Sequence, residues 1–150
     1  MAPRHFAIAL AAASALALPV RAETAIDVMK DANCGCCENW IEHLSQSGFA
    51  PTGHDLGNRS LNRFKAAAGV PASMVSCHTA TIDGYVIEGH VPAADIARLL
   101  DERPEAIGLA VPGMPMGSPG MEYGAQRDAF DVHLIRRDGS TEIFSSYAGN

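Results

Sequence analysis

Residues 25–48 read AIDVMKDANCGCCENWIEHLSQSG, and their order decides the fold class. AIDVMK alternates as a strand does, and Asp31-Ala32-Asn33 turns the chain before the cysteines. Cys37, Trp40, Ile41 and Leu44 then recur at helical spacing, with Glu38, Glu42 and Gln46 on the other side and Gly48 closing the helix. Three cysteines therefore open a helix, where unpaired N–H groups and the positive end of the helix dipole favour thiolate over thiol. Gly35 lets the backbone wrap tightly around a ligand.

Working outward, Phe49–Leu56 reads as a strand and Ser60–Ala68 as a helix, capped by Asn58 or Ser60 and closed by Gly69. Ser73–Ile82 and Tyr85–Glu88 read as two strands joined by the tight turn Asp83-Gly84. Pro92 starts a helix that runs to about Glu102, with Ile96, Leu99 and Leu100 as its buried side and Pro104 as its stop. The expected order is βαβαββα, an α/β class. Beyond it, Ile107–Tyr123 is rich in Gly, Pro and Met and should be an irregular loop. Asp131–Arg137 and Thr141–Tyr147 flank Asp138-Gly139 as a closing β-hairpin.

Upstream, residues 1–22 combine a basic start at Arg4, an apolar run from Phe6 to Leu18, and Val20-Arg21-Ala22 before Glu23. This is the pattern of a cleaved secretory signal peptide, too short for the roughly 20 apolar residues of a membrane span. Residues 23–150 then form a single domain, with no membrane span once the leader is removed. All 17 acidic residues lie in that domain, whereas Arg4 and Arg21 are lost from the 11 basic ones, so its net charge is near −8. A negative field of that size argues against nucleic acid as a partner. No Ser-His-Asp arrangement, phosphate-cradling glycine loop or paired-carboxylate spacing supports a hydrolase or a nucleotide-binding protein.

The chemistry rests on the four cysteines, all in the exported part. Cys34, Cys36 and Cys37 fall within four residues, leaving Cys77 as the single distant partner, so two well-spaced structural disulfides are not available. Cys34 and Cys37 form a C-x-x-C pair, which makes them the candidate catalytic thiols of a thiol–disulfide exchange. As ligands, thiolates and thioethers select Cu(I); zinc is the alternative, because four cysteines also close a tetrahedral site. His78, beside Cys77, is a candidate ligand, although strand alternation puts the two on opposite faces unless a bulge intervenes. His90 directly precedes a helix and reads as a capping or solvent-facing group, and His43, His54 and His133 read as surface histidines. Met114, Met116 and Met121 crowd an irregular segment and suggest a soft-metal lip over the thiols.

The order of elements, with a cysteine motif at the first helix mouth and Val70-Pro71 before the third strand, is similar to the thioredoxin-like fold. That resemblance implies a cis proline facing the cysteines, here Pro71. The strings CGCCENWIEHL, GVPASMVSCHTA, IDGYVIEGHVPAADIARLL and AIGLAVPGMPMGSPGME together resemble the CopG-like family of periplasmic copper-resistance proteins, long catalogued as a domain of unknown function. The resemblance spans nearly all of residues 23–150. It implies Cu(I) bound by Cys34, Cys36, Cys37 and Cys77, a role in copper redox detoxification, a periplasmic location, and copper ions and other periplasmic copper-handling proteins as partners.

Overall fold

The computed structural model describes residues 23–150. The expected leader, residues 1–22, lies outside the described residues. Strand β1 (Thr24–Lys30) runs into helix α1 (Gly35–Gln46), β2 (Phe49–Asp55) and α2 (Asn58–Ala67). A 3-10 turn (Ala72–Met74) precedes β3 (Thr79–Ile82) and β4 (Tyr85–Glu88), followed by α3 (Ala93–Glu102), β5 (Ala106–Ala110), β6 (Phe130–Arg136) and β7 (Thr141–Tyr147). The strands form one mixed sheet in the order β2-β1-β3-β4-β5-β6-β7. β1 runs parallel to β2 and β4 parallel to β5, and the other neighbours are antiparallel. Among the described residues no helix is long and apolar enough to cross a membrane.

The core forms where the apolar stripes of α1 and α3 meet the sheet. Trp40 and Leu44 from α1 and Ile96 and Leu99 from α3 are fully buried with Ile26, Val28, Ile87 and Leu109. Trp40 also donates its indole N–H to the Val91 carbonyl at 2.9 Å, so the ring is oriented as well as buried. Asp95, in the first turn of α3, accepts the Tyr147 hydroxyl at 2.7 Å and the Ser145 hydroxyl, which pins the closing hairpin to α3.

Several expectations need correcting. The strand expected over Ser73–Ile82 begins only at Thr79, because Ala72–Met74 coil into the 3-10 turn and Val75–His78 are irregular. The face-alternation argument for Cys77 and His78 therefore does not apply. All described peptide bonds are trans, Pro71 included; Pro71 sits at φ −62° and its carbonyl accepts the Met74 N–H, starting the 3-10 turn. The loop expected from Ile107 starts late, since Ala106–Ala110 is a strand between β4 and β6. Gly57, without a side-chain cap, stands at the start of α2 where Asn58 or Ser60 was expected.

Candidate metal and redox centre

Cys34 is the N-cap of α1, and its carbonyl accepts the N–H groups of Cys37 and Glu38. That first helical turn fixes the Cys34, Cys36 and Cys37 side chains in one patch. Lys30, at the end of β1, braces it by pairing with Glu38 and with Asp55, each at 2.6 Å. Cys34 and Cys37 are joined as a disulfide, while Cys36 and Cys77 are free thiols. Cys37 is fully buried; the other three cysteines are half-buried.

Cys36 Sγ lies 3.5 Å from Cys34 Sγ and 3.9 Å from Cys77 Sγ, across 41 residues of sequence. The four sulfurs all fall within 4.8 Å of one another, and a second group, Cys77, His78 and His90, meets the same limit. Cys77 belongs to both. Its Sγ is 3.2 Å from His78 Nδ1 and 3.1 Å from His90 Nε2. Burial, together with the Cys36 thiol alongside, pushes the Cys77 thiol up to about 12, so the metal-free sulfur keeps its proton at neutral pH.

Both histidines are fully buried, contrary to the solvent-facing role expected of His90. Gly89, at φ +72°, turns the chain so that residue 90 points inward rather than capping α3. Burial lowers the pKa of His90, against a smaller opposing pull from the Pro119 carbonyl. Its Nδ1–H donates to that carbonyl at 2.8 Å, which leaves the Nε2 lone pair facing Cys77. His78 is held well below the ordinary imidazole value by burial, with His90 and Lys65 adding to the effect against a small pull from the Gly89 backbone. It packs 4.4 Å from the Trp40 ring and 5.0 Å, edge to face, from His90. Among the described residues its Nε2 finds no hydrogen-bond partner. The tautomer that leaves no buried N–H unmet carries the proton on Nδ1, donating to Cys77.

The methionine-bearing segment reaches the centre through its backbone. Pro119 holds His90, and Gly120, at φ +85°, lies so close to α1 that an added Cβ would be 2.8 Å from both the Cys36 carbonyl oxygen and the Trp40 nitrogen. Met121 is buried, Met116 is half-buried with its N–H bound to the Asp128 carboxylate, and Met114 is exposed at the far end of the segment. His43, His54 and His133 stand elsewhere. His43 is half-buried rather than superficial, and its Nε2 accepts the Ala93 N–H at the start of α3. His54 pairs with Asp27 on the surface, and His133 lies in β6.

Sequence reasoning missed a buried polar cluster behind the centre. Glu88 and Lys65 pair at 2.6 Å, both almost wholly buried. Glu88 lay inside a segment read simply as a strand and Lys65 inside one read simply as a helix. The available signal was that Glu88 is one charged residue in a strand otherwise made of Tyr85, Val86 and Ile87.

A small mixed α/β domain that gathers four sulfurs and two buried imidazoles at one helix mouth defines a thiol–imidazole centre. A family model described as "Protein of unknown function, DUF411" matches residues 74–121. Two solved structures described as copper resistance protein CopG, form 1 and form 2, are 52% and 51% identical to the chain, each with a TM-score of 0.79. The alignments cover 85% and 83% of this chain and 99% and 98% of theirs. Curated proteins give no match. The chain belongs to the family of copper resistance protein CopG.

Proposed function

We propose that this protein is an exported, periplasmic copper-binding protein that takes up Cu(I) through Cys34, Cys36, Cys37 and Cys77 on a thioredoxin-like frame. The observation that carries the reading is the 3.9 Å approach of the Cys36 and Cys77 sulfurs across 41 residues. Membership of the CopG family supports copper as the cargo, and the sulfur-rich donor set supports its cuprous form over zinc. The strand order β2-β1-β3-β4 supports the thioredoxin-like frame. Residues 1–22 serve as the cleaved leader and 23–150 as the working domain. Other periplasmic copper-handling proteins would exchange metal with it.

His90 is better prepared as a ligand than His78. Its Nε2 lone pair already faces Cys77, whereas His78 must move its proton from Nδ1 to the unpartnered Nε2 before Nδ1 can ligate. Met114 and Met116 serve as outer thioether donors on the rim. With the C-x-x-C pair reduced, all four sulfurs are ligands; where the pair instead acts as reductant, two Cu(II) accept one electron each from the Cys34/Cys37 dithiol, giving two Cu(I), one disulfide and two protons, and Cys36 and Cys77 remain as the thiol ligands.

The test is anaerobic addition of Cu(I) to the reduced chain, with metal counting and absorption from thiolate-to-copper charge transfer. Serine at Cys36 or Cys77 should each weaken binding by at least about tenfold. Unchanged affinity in all four single Cys→Ser variants refutes the reading. The Cys34–Cys37 disulfide favours a second reading, a thiol–disulfide oxidoreductase in which Cys34 attacks and Cys37 resolves. Reduction of a model disulfide no faster than by a free thiol excludes it.

A further inference from the structure

We propose that Glu88 is a positioning residue for the centre: its buried carboxylate clamps both ends of the turn Ser76–Thr79 and so aims Cys77 at Cys36. This rests on the copper reading only for its consequence in metal binding. Glu88 ends β4 and is fully buried. One of its oxygens, Oε1, accepts the Ser76 N–H at 2.7 Å, immediately before Cys77. The other, Oε2, accepts the Thr79 hydroxyl at 2.5 Å, immediately after His78. Lys65, from α2, closes a ring by donating to Glu88 Oε1 at 2.6 Å and to Thr79 Oγ1 at 2.8 Å.

The neighbouring backbone completes the grip. Gly89 N–H donates to the His78 carbonyl at 3.0 Å. A Cβ at Gly89 would stand 2.5 Å from the Ser76 side chain and 2.6 Å from the Val111 carbonyl oxygen, so the turn lies directly on residue 89. Since Val75–His78 belong to no helix or strand, ladder hydrogen bonds do not fix Cys77. The Glu88 carboxylate takes that role.

Stability alone would be served as well by an apolar pair. Desolvating a carboxylate and an ammonium consumes most of their attraction, and well-packed hydrophobic replacements of buried ion pairs are often neutral or stabilising. What an apolar pair cannot do is hold the Ser76 N–H and the Thr79 hydroxyl in fixed directions. The geometry therefore assigns the ion pair to orientation.

The experiment compares the reduced, metal-free full chain with Glu88→Gln, Thr79→Val and the double variant Lys65→Met/Glu88→Leu. Alkylation rates of Cys77 and Cys36 are read separately by peptide mass spectrometry, alongside melting temperature and Cu(I) affinity. We expect Cys77 to be labelled roughly tenfold faster in each variant while Cys36 stays within about twofold. Cu(I) affinity should fall by about tenfold or more. The double variant should melt near the wild type yet still show fast Cys77 labelling. A double variant that restores stability and Cys77 protection together overturns the proposal, as does acceleration of both thiols in step with lost stability. If Glu88→Gln does not fold, Thr79→Val, which leaves the ion pair intact, decides by the same criteria. Failure of the wild type to take up Cu(I) would refute the copper reading, and the labelling comparison, which uses no metal, would still judge the clamp.

Discussion

Gly120→Ala tests the link between the methionine-bearing segment and the centre. The added Cβ would sit 2.8 Å from the Cys36 carbonyl oxygen and from the Trp40 nitrogen, and 3.2 Å from Trp40 Cα. These are backbone atoms of a packed helix, so the loop has to yield. Bringing a 2.8 Å approach to the 3.4 Å edge of ordinary contact requires a shift of about 0.6 Å. The same shift applied to Pro119 takes its 2.8 Å bond from His90 Nδ1 to the limit of hydrogen bonding. His90 then loses the contact that fixes its tautomer, a change worth about 10–100-fold in metal affinity at comparable sites. Overpacking adds about 1–3 kcal/mol to the left-handed backbone cost of about 1–2 kcal/mol. Gly124→Ala is the control, because Gly124 has a similar φ of +70° and nothing within 4 Å of its added Cβ. Urea unfolding of the metal-free chain and Cu(I) competition against a coloured chelator would be run on both variants. Equal losses of stability and affinity in the two refute the argument, since backbone conformation alone would then explain them.

Two further outcomes follow from the titrating groups. His43, His78 and His90 are each held below 6.5, foremost by burial, so the unfolded chain binds more protons than the native one in mild acid. Metal-free stability should be complete above about pH 6.5 and fall as the pH drops below it. His43→Gln, which keeps an acceptor for the Ala93 N–H, should flatten that fall in urea midpoints measured from pH 7.5 to 5; an unchanged slope would count against it. With the Cys77 thiol raised to about 12, Cu(I) binding at neutral pH must expel its proton. Calorimetry in buffers of different ionisation enthalpy should show about one proton fewer released by Cys77→Ser.

Legibility in the sequence followed the range of the interactions. The first helix was readable because Cys37, Trp40 and Leu44 bury one face, and Asp83-Gly84 because both residues take positive φ in the structure. Ser73–Ile82 was misread because Val75 and Cys77 mimic strand alternation, whereas contacts from Glu88 and Gly113 hold that stretch as a turn. β5 was hidden by Gly108, whose small size suits close approach to β4 but reads locally as a loop residue. The four thiols were visible as chemistry, yet His90 was not, since its burial depends on the Pro119 carbonyl 29 residues away. The pairing of Lys65 with Glu88 spans 23 residues and leaves no periodic trace.

The unequal exposure of the two bonded sulfurs has a regiochemical consequence. Cys34 faces solvent in part, while Cys37 is shut within the interior. An incoming nucleophile, whether a small thiol or the cysteine of another protein, can approach along the S–S axis only from the Cys34 side. In the exchange proposed for the C-x-x-C pair, the mixed disulfide is accordingly expected on Cys34, with the buried Cys37 as the leaving sulfur.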